Sequence, residues 1–217
     1  MSQATLNPKL MPACAKARVV PVLTITDAAH AVPLAKALAA GGLKVLEITL
    51  RTPQALDAIQ RITAEVPGVE AGAGTVLTAA HAEQAIRAGA RFLVSPGSTR
   101  RLLDAAETLA VPLLPGAATA SEVMALLERG YRFLKFFPAE QSGGIPALKA
   151  LGAPLAEATF CPTGGVGAHN LEAYLGCSNV VCVGGSWVAP PALVAAGNWA
   201  EITRLAWAAS TPGGATA

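Results

Sequence analysis

The lysines of the chain are Lys9, Lys16, Lys36, Lys44, Lys135 and Lys149. Five lie near the terminus, on helix-like stretches or at a strand entrance. Only Lys135 sits mid-strand between aromatics, in Phe133-Leu134-Lys135-Phe136-Phe137. With period two, Leu134 and Phe136 suit a helix-covered face, so Phe133, Lys135 and Phe137 point to the other side. Lysine is almost never buried without a reason. Burial disfavours the ammonium, and a neutral amine is the nucleophile that forms a Schiff base with a ketone. The plainer readings are a snorkelling lysine or a buried ion pair. The second residue of interest is Glu47, in Val45-Leu46-Glu47-Ile48-Thr49-Leu50-Arg51. Leu46, Ile48 and Leu50 share the apolar face, which turns Val45, Glu47, Thr49 and Arg51 inward. An ionisable group there is costly unless partnered. Arg51 lies roughly 13 Å from Glu47 along an extended strand, so the two heads meet only if the arginine folds back.

Small polar residues end other strand-like runs: Thr75 after Gly72-Ala73-Gly74, Ser95-Pro96-Gly97, and Thr163 in Cys161-Pro162-Thr163-Gly164-Gly165. Gly164-Gly165 and Gly184-Gly185-Ser186 offer backbone N–H groups of the kind that cradle phosphate. His30, His81 and His169 fall on helix-like stretches and read as surface or capping residues. Glu47 and Glu140 are the carboxylates at strand ends, and Glu140 reads as a helix N-terminal charge. Two carboxylates make a poor Mg²⁺ site, so neither a metal nor a cofactor is expected. Cys14, Cys161, Cys177 and Cys182 show no C-x-x-C spacing and read as buried free thiols, which fit a reducing cytoplasm.

These residues need a scaffold that brings strand ends together. Strand-like runs occur at Val19–Thr24, Val45–Leu50, Val69–Gly74, Phe92–Ser95, Pro112–Pro115, Phe133–Phe137, Thr159–Thr163 and Val180–Gly184, roughly 20–26 residues apart. That spacing is a βα repeat. Helix punctuation alternates with it: Asp27 as a cap with a stop at Gly41-Gly42, Thr52-Pro53 as N-cap and N1, a capping box at Thr119-x-x-Glu122 with a stop at Gly130, and a run over Ala79–Ala88 stopping at Gly89. Trp199–Ala209 reads as a final amphipathic helix. The pattern predicts an α/β chain folded as one (β/α)₈ TIM barrel over residues 1–217. Residues 1–17 form an N-terminal helix or extension, and 210–217 a flexible tail. A doubly wound sheet would carry G-x-G-x-x-G after strand one, where this chain has Thr24-Ile25-Thr26-Asp27. The glycine pairs instead follow strands seven and eight, where barrels hold phosphate.

Composition narrows the partners. Of 217 residues, 53% are hydrophobic and 14% charged, with a net charge of +2. So apolar a chain is buried on both faces of its sheet, docks against sister subunits, or both. No basic cluster suggests nucleic acid, no uninterrupted run of 18 apolar residues suggests a membrane span, and no apolar h-region marks a secretory signal. The expected partner is a small-molecule substrate in the cytoplasm.

Taken in register, VVPVL, GGLKVLEITLRT, GAGTVL, SPG, LPG, FLKFFPAE, FCPTGG and VGGSW resemble the family of 2-keto-3-deoxy-6-phosphogluconate (KDPG) and 4-hydroxy-2-oxoglutarate (KHG) aldolases, and the phosphogluconate branch in particular. The resemblance covers nearly the whole chain. It implies a class I aldolase of the Entner–Doudoroff pathway. Lys135 would be the Schiff-base lysine and Glu47 the general acid/base. Arg51 and Thr75 would hold the pyruvate carboxylate, and Pro96 and Phe137 would wall the pocket. Thr163, Gly164, Gly165, Gly185 and Ser186 would contact substrate and phosphate. It also implies a homotrimer. Leu134 departs from the family pattern, where a polar residue is common, but on the helix-facing side. Rival readings are an aldolase whose main substrate is 4-hydroxy-2-oxoglutarate, a metal-dependent barrel lyase, and a non-catalytic phosphate-binding barrel.

Overall fold

The computed structural model describes residues 3–213. Its elements are, in chain order, α1 (Gln3–Ala17), β1 (Val19–Leu23), a 3₁₀ turn (Ala28–His30), α2 (Ala31–Ala40), β2 (Val45–Thr49), α3 (Ala55–Glu65), β3 (Glu70–Gly74), α4 (Ala79–Arg87), β4 (Leu93–Val94), α5 (Arg100–Glu107), β5 (Leu113–Leu114), β6 (Gly116–Ala117), α6 (Ala120–Glu128), β7 (Phe133–Phe136), α7 (Gly144–Gly152), β8 (Thr159–Pro162), α8 (Leu171–Leu175), β9 (Val183–Gly185), α9 (Pro191–Ala195) and α10 (Trp199–Ser210). Each expected strand is present within a few residues. Of the expected flexible tail 210–217, Ser210 ends α10 and 211–213 form a bend and turn, while 214–217 lie outside the described residues.

All strand pairs are parallel, as a βα repeat demands, but the ladders differ from an uninterrupted eight-stranded ring. One run is β5-β4-β3-β2-β1-β9 and the other β6-β7-β8. Single parallel bridges, Phe160–Val180 and Thr163–Gly184, connect the β8 segment to the β9 segment. The expected fifth strand is the one that breaks. Pro115 lacks an N–H and so interrupts the ladder: residues before it pair with β4, and residues after it pair with β7. What the ladders establish is a single α/β domain with a curled parallel sheet.

The period-two reading of the faces is borne out. Leu46, Ile48, Leu134 and Phe136 pack with the helices in the larger apolar cluster. Val20, Val45, Phe92, Val94, Leu114, Phe133, Cys161 and Cys182 form a separate cluster inside the curl, with Leu10, Cys14 and Ala17 of α1. All four cysteines are free and buried. Leu134 is buried among helix-facing residues.

Helix α1 covers the N-terminal ends of the strands and mends the break at Pro115. Buried Asn7 donates to the carbonyls of Leu113 and Phe133, both at 2.8 Å. Its side-chain oxygen accepts from the amides of Phe133 at 2.9 Å and Arg132 at 3.1 Å. One side chain thus bridges β5 and β7 where no backbone ladder joins them. Gln3 does similar work beside it, donating to Ala106 and Val111 carbonyls and accepting from the Leu113 amide.

Helix punctuation holds in most places. Thr119 and Glu122 close a full capping box, and Gly130 follows that helix at φ 84°. Asp27 caps the 3₁₀ turn that leads into α2, which ends at Gly41. Thr52-Pro53 is a correction: α3 begins at Ala55. The Thr52 hydroxyl instead donates to the Ile25 carbonyl, tying the loop after β2 to the loop after β1.

Candidate active site

The C-terminal strand ends carry the polar residues. Glu47 stands in β2 with Val22 of β1 beside it on one side and Gly72 of β3 on the other. Lys135 stands in β7 between Gly116 of β6 and Cys161 of β8. These strands belong to different ladders and are not neighbours, so the two side chains meet across the interior. Lys135 Nζ donates to Glu47 Oε1 at 3.1 Å and Oε2 at 3.3 Å. Their side chains are only 7% and 4% exposed, which makes this a buried pair.

Instead of an amine isolated in apolar surroundings, the interior holds an amine and a carboxylate in direct contact. The consequence is chemical. Either charge alone would be expensive at this depth. Moving one proton from the amine to the carboxylate removes both charges together and leaves a free amine lone pair. Phe137 packs nearby, with Nζ 5.4 Å from its ring centroid.

The rest of the inward layer is small or satisfied. Thr49, fully buried, donates to the Leu23 carbonyl at 2.9 Å and lies 3.1 Å from the Thr24 hydroxyl. Thr163, buried at the end of β8, has its hydroxyl 3.3 Å from the Cys161 carbonyl. Cys182 lies within hydrogen-bonding reach of Cys14 and Cys161, and those contacts, with burial, hold its thiol well above the ordinary range.

A cleft of about 470 Å³ opens on this end of the sheet. Seven residues singled out from the sequence line it: Arg51, Phe137, Thr163, Gly164, Gly165, Gly185 and Ser186. Arg51 lies in a turn beyond β2, exposed, and makes no ion pair among the described residues, so it does not fold back onto Glu47. Gly164 and Gly165 take φ 100° and 79°, left-handed values natural to glycine, and their amides donate to no backbone carbonyl among the described residues. Lys135, Glu47, Thr75 and Pro96 do not form its walls. Lys135 stands beside the lining residue Phe137 and in contact with Glu47. Thr75 follows β3, half-buried, at φ 58°, which is uncommon for a β-branched residue and marks a position where backbone strain is tolerated. Pro96 is half-buried, with its carbonyl so close to Gly116 that a Cβ there would stand 2.3 Å away.

Three features of the cleft were not anticipated. Thr24, Thr26 and Asp27 line it from the loop after β1, and Pro191, Val194 and Ala195 line it from α9. His30, read as a surface or capping residue, lines it too, with its ring packed edge-on against Trp199 at 5.7 Å. The rule that sites gather at strand C-terminal ends points to the β1 loop, but no residue type there draws attention on its own. Glu140 also differs from its reading as a helix N-terminal charge: it accepts a hydrogen bond from the buried Tyr174 hydroxyl. Burial first, and then this carboxylate, push the Tyr174 hydroxyl above its usual range. His81 and His169 are peripheral, His81 in the first turn of α4 with its amide bonded to Thr78. No group of three or more His, Cys, Asp or Glu among the described residues is arranged to hold a metal ion. No helix among them is long and apolar enough to cross a membrane.

A curled parallel sheet with a buried lysine–glutamate pair beside a glycine-edged cleft at the strand C-terminal ends has the makings of a carbonyl-directed amine enzyme. The chain matches a model of the KDPG and KHG aldolase family over residues 11–205, and it belongs to that family. It is 53% identical over 188 residues to 2-dehydro-3-deoxy-phosphogluconate aldolase of Pseudoalteromonas atlantica, covering 87% of each chain. A crystal structure of KDPG aldolase from Legionella pneumophila, with pyruvate captured at low pH as a covalent carbinolamine intermediate, superposes with TM-score 0.89. The identity is 46%, covering 92% of this chain and 98% of that one. KDPG aldolase of Zymomonas mobilis, crystallised with 3-phosphoglycerate, superposes with TM-score 0.90 at 48% identity, covering 94% and 96%.

Proposed function

We propose that this protein is a class I aldolase that cleaves 2-keto-3-deoxy-6-phosphogluconate to pyruvate and glyceraldehyde 3-phosphate. The observation that carries the reading is the buried Lys135–Glu47 pair, with Nζ 3.1 Å from the nearer carboxylate oxygen. Lys135 attacks the C2 ketone, and the proton it must lose has an acceptor already in contact. Glu47 relays two protons from the nitrogen, one to the ketone oxygen as the carbinolamine forms and one to its hydroxyl, which leaves as water and gives the iminium. The C4 hydroxyl then gives up its proton to the freed Glu47 carboxylate, C3–C4 breaks, and its electrons pass to the iminium as an enamine while the aldehyde departs. Protonation at C3 and hydrolysis release pyruvate and free the amine. A positioned proton shuttle contributes about 10²–10⁴-fold. The iminium formed on Lys135 is the electron sink, so this chemistry calls for no metal or cofactor.

The remaining residues take the roles that the family resemblance implies. Arg51 and Thr75 hold the substrate carboxylate, and Pro96 and Phe137 wall the keto-acid end. Thr163, Gly164, Gly165, Gly185 and Ser186 receive the hydroxyl-bearing and phosphorylated end. The amides of Gly164 and Gly165, unpaired among the described residues, support the phosphate end of this division. We further assign the two ladders to one closed (β/α)₈ barrel comprising residues 1–217, acting as a cytoplasmic homotrimer; the apolar composition supports subunit contacts.

The test is incubation with pyruvate and borohydride, followed by peptide mapping. The expected result is one reduced adduct on Lys135, with pyruvate released from the phosphorylated keto acid in a coupled assay. An adduct on another lysine, or none on folded protein, overturns the mechanism. Comparing kcat/KM for the phosphorylated acid and for 4-hydroxy-2-oxoglutarate, in wild type and Ser186→Ala, decides the substrate. Loss confined to the phosphorylated acid is expected.

A further inference from the structure

Strand β3 reads Glu70-Ala71-Gly72-Ala73-Gly74, and two glycines inside one short strand are unfavourable unless something occupies the space they leave. Neither residue has a backbone that demands glycine, since neither lies in the left-handed region. What each provides is room. A Cβ on Gly72 would stand 2.4 Å from the Phe92 ring, so Gly72 seats an apolar residue of the interior. A Cβ on Gly74 would stand 2.2 Å from Glu47 Oε1, 2.5 Å from its Cγ and 2.7 Å from its Cδ. The Glu47 side chain therefore runs along β3 from its place beside Gly72 and lies over the bare backbone of Gly74. Its oxygens are held from the other side by Lys135 Nζ at 3.1 and 3.3 Å.

We propose that Gly74 is the positioning residue of the Glu47 carboxylate: its missing side chain is the seat that lets the acid reach the lysine. The proposal rests on Glu47 as the proton-transfer group. Ordinary contact needs about 3.5 Å or more between such atoms, so a methyl at position 74 drives the carboxylate more than 1 Å from its place. Displacement on that scale costs about 10²-fold in rate.

The experiment combines Gly74→Ala with Glu47→Asp and Glu47→Ala. Gly74→Ala should lower kcat about 100-fold while changing KM for the phosphorylated keto acid less than about threefold, because the cleft at β8 and β9 is untouched. Glu47→Asp alone should also be poor, its carboxylate retracted from Lys135. In the Gly74→Ala background, however, Glu47→Asp should cost little further kcat, because the new methyl has already moved the carboxylate away from Lys135. A purely structural role for Gly74 would give additive losses instead. Stability supplies a readout independent of turnover. Gly74→Ala should lower Tm by about 5 °C when Glu47 is intact and by much less when it is combined with Glu47→Ala, as overpacking is relieved.

Three results overturn the proposal: kcat of Gly74→Ala within about threefold of wild type, additive kcat losses when Gly74→Ala and Glu47→Asp are combined, or equal Tm losses from Gly74→Ala with and without Glu47→Ala. Failure of the aldolase reading looks different, since wild type itself would then release no pyruvate and form no Lys135 adduct. If Gly74→Ala fails to fold with Glu47 intact, its combination with Glu47→Ala decides: folding of that double variant supports the seat, and its failure to fold refutes it.

Discussion

Replacing Lys135 with methionine tests the buried pair without reference to turnover. Methionine fills much the same volume and adapts to irregular gaps, but it leaves the carboxylate of Glu47, 4% exposed, facing no cation. A buried carboxylate without a partner is unstable by several kcal/mol, and its escape is to take a proton from solvent. For a glutamic acid of ordinary acidity, near 4.3, that costs about 1.4 kcal/mol per pH unit above this value, hence about 3.7 kcal/mol at pH 7 and about 1 kcal/mol at pH 5. Protonation thus sets a ceiling on the electrostatic loss. In a domain of this size each kcal/mol shifts Tm by about 2–4 °C. Relative to wild type at the same pH, Lys135→Met should therefore lose up to about 7–15 °C at pH 7 and about 2–4 °C at pH 5. The direction follows from the proton: the variant's folded state binds it more tightly than the unfolded state, so the penalty is absent at low pH and grows as pH rises. Adding Glu47→Gln removes the charge permanently and should erase most of the pH dependence of the difference. Thermal unfolding by circular dichroism at the two pH values is sufficient. An equal penalty at both, or none at either, would refute a dry carboxylate held by Lys135 alone.

Two further outcomes follow from the scaffold. Asn7→Ala removes four hydrogen bonds to the backbone of β5, β7 and Arg132. It should cost on the order of 4 kcal/mol, read as a urea or thermal shift, while the folded variant keeps its specific activity because α1 lies at the opposite strand ends; a Tm within about 2 °C of wild type would refute the clasp. Glu122 is held below its usual 4.5, chiefly by the Ala118 amide. Its contribution is therefore present above that value and lost as pH falls through the folded one. Glu122→Ala should lower Tm by about 2 °C at pH 7, and that difference should shrink as pH falls below 4.5.

The sequence alone was enough for most of what is local. Alternation along β2 and β7 told which way Glu47 and Lys135 face, because side chains in a strand switch sides at every residue. Thr119 and Glu122 announced their helix because a capping box is complete within four residues. The family motifs, strung at βα spacing, marked Gly164, Gly165 and Ser186 as mouth residues, and the cleft contains them.

What needed the tertiary structure was every distance between distant residues. Glu47 and Lys135 are 88 positions apart, and their contact depends on how far the sheet curls, which no periodicity encodes. The same curl leaves Arg51 on the cleft wall, away from Glu47, and brings His30 into the cleft from a segment that looks like ordinary helix. Pro115 is visible in the chain, yet that Asn7 would span the break depends on where α1 docks. The glycine at position 74 reads as a weak strand residue until the carboxylate is seen lying across it. Side-chain facing is a property of the strand, whereas reach is a property of the packed fold.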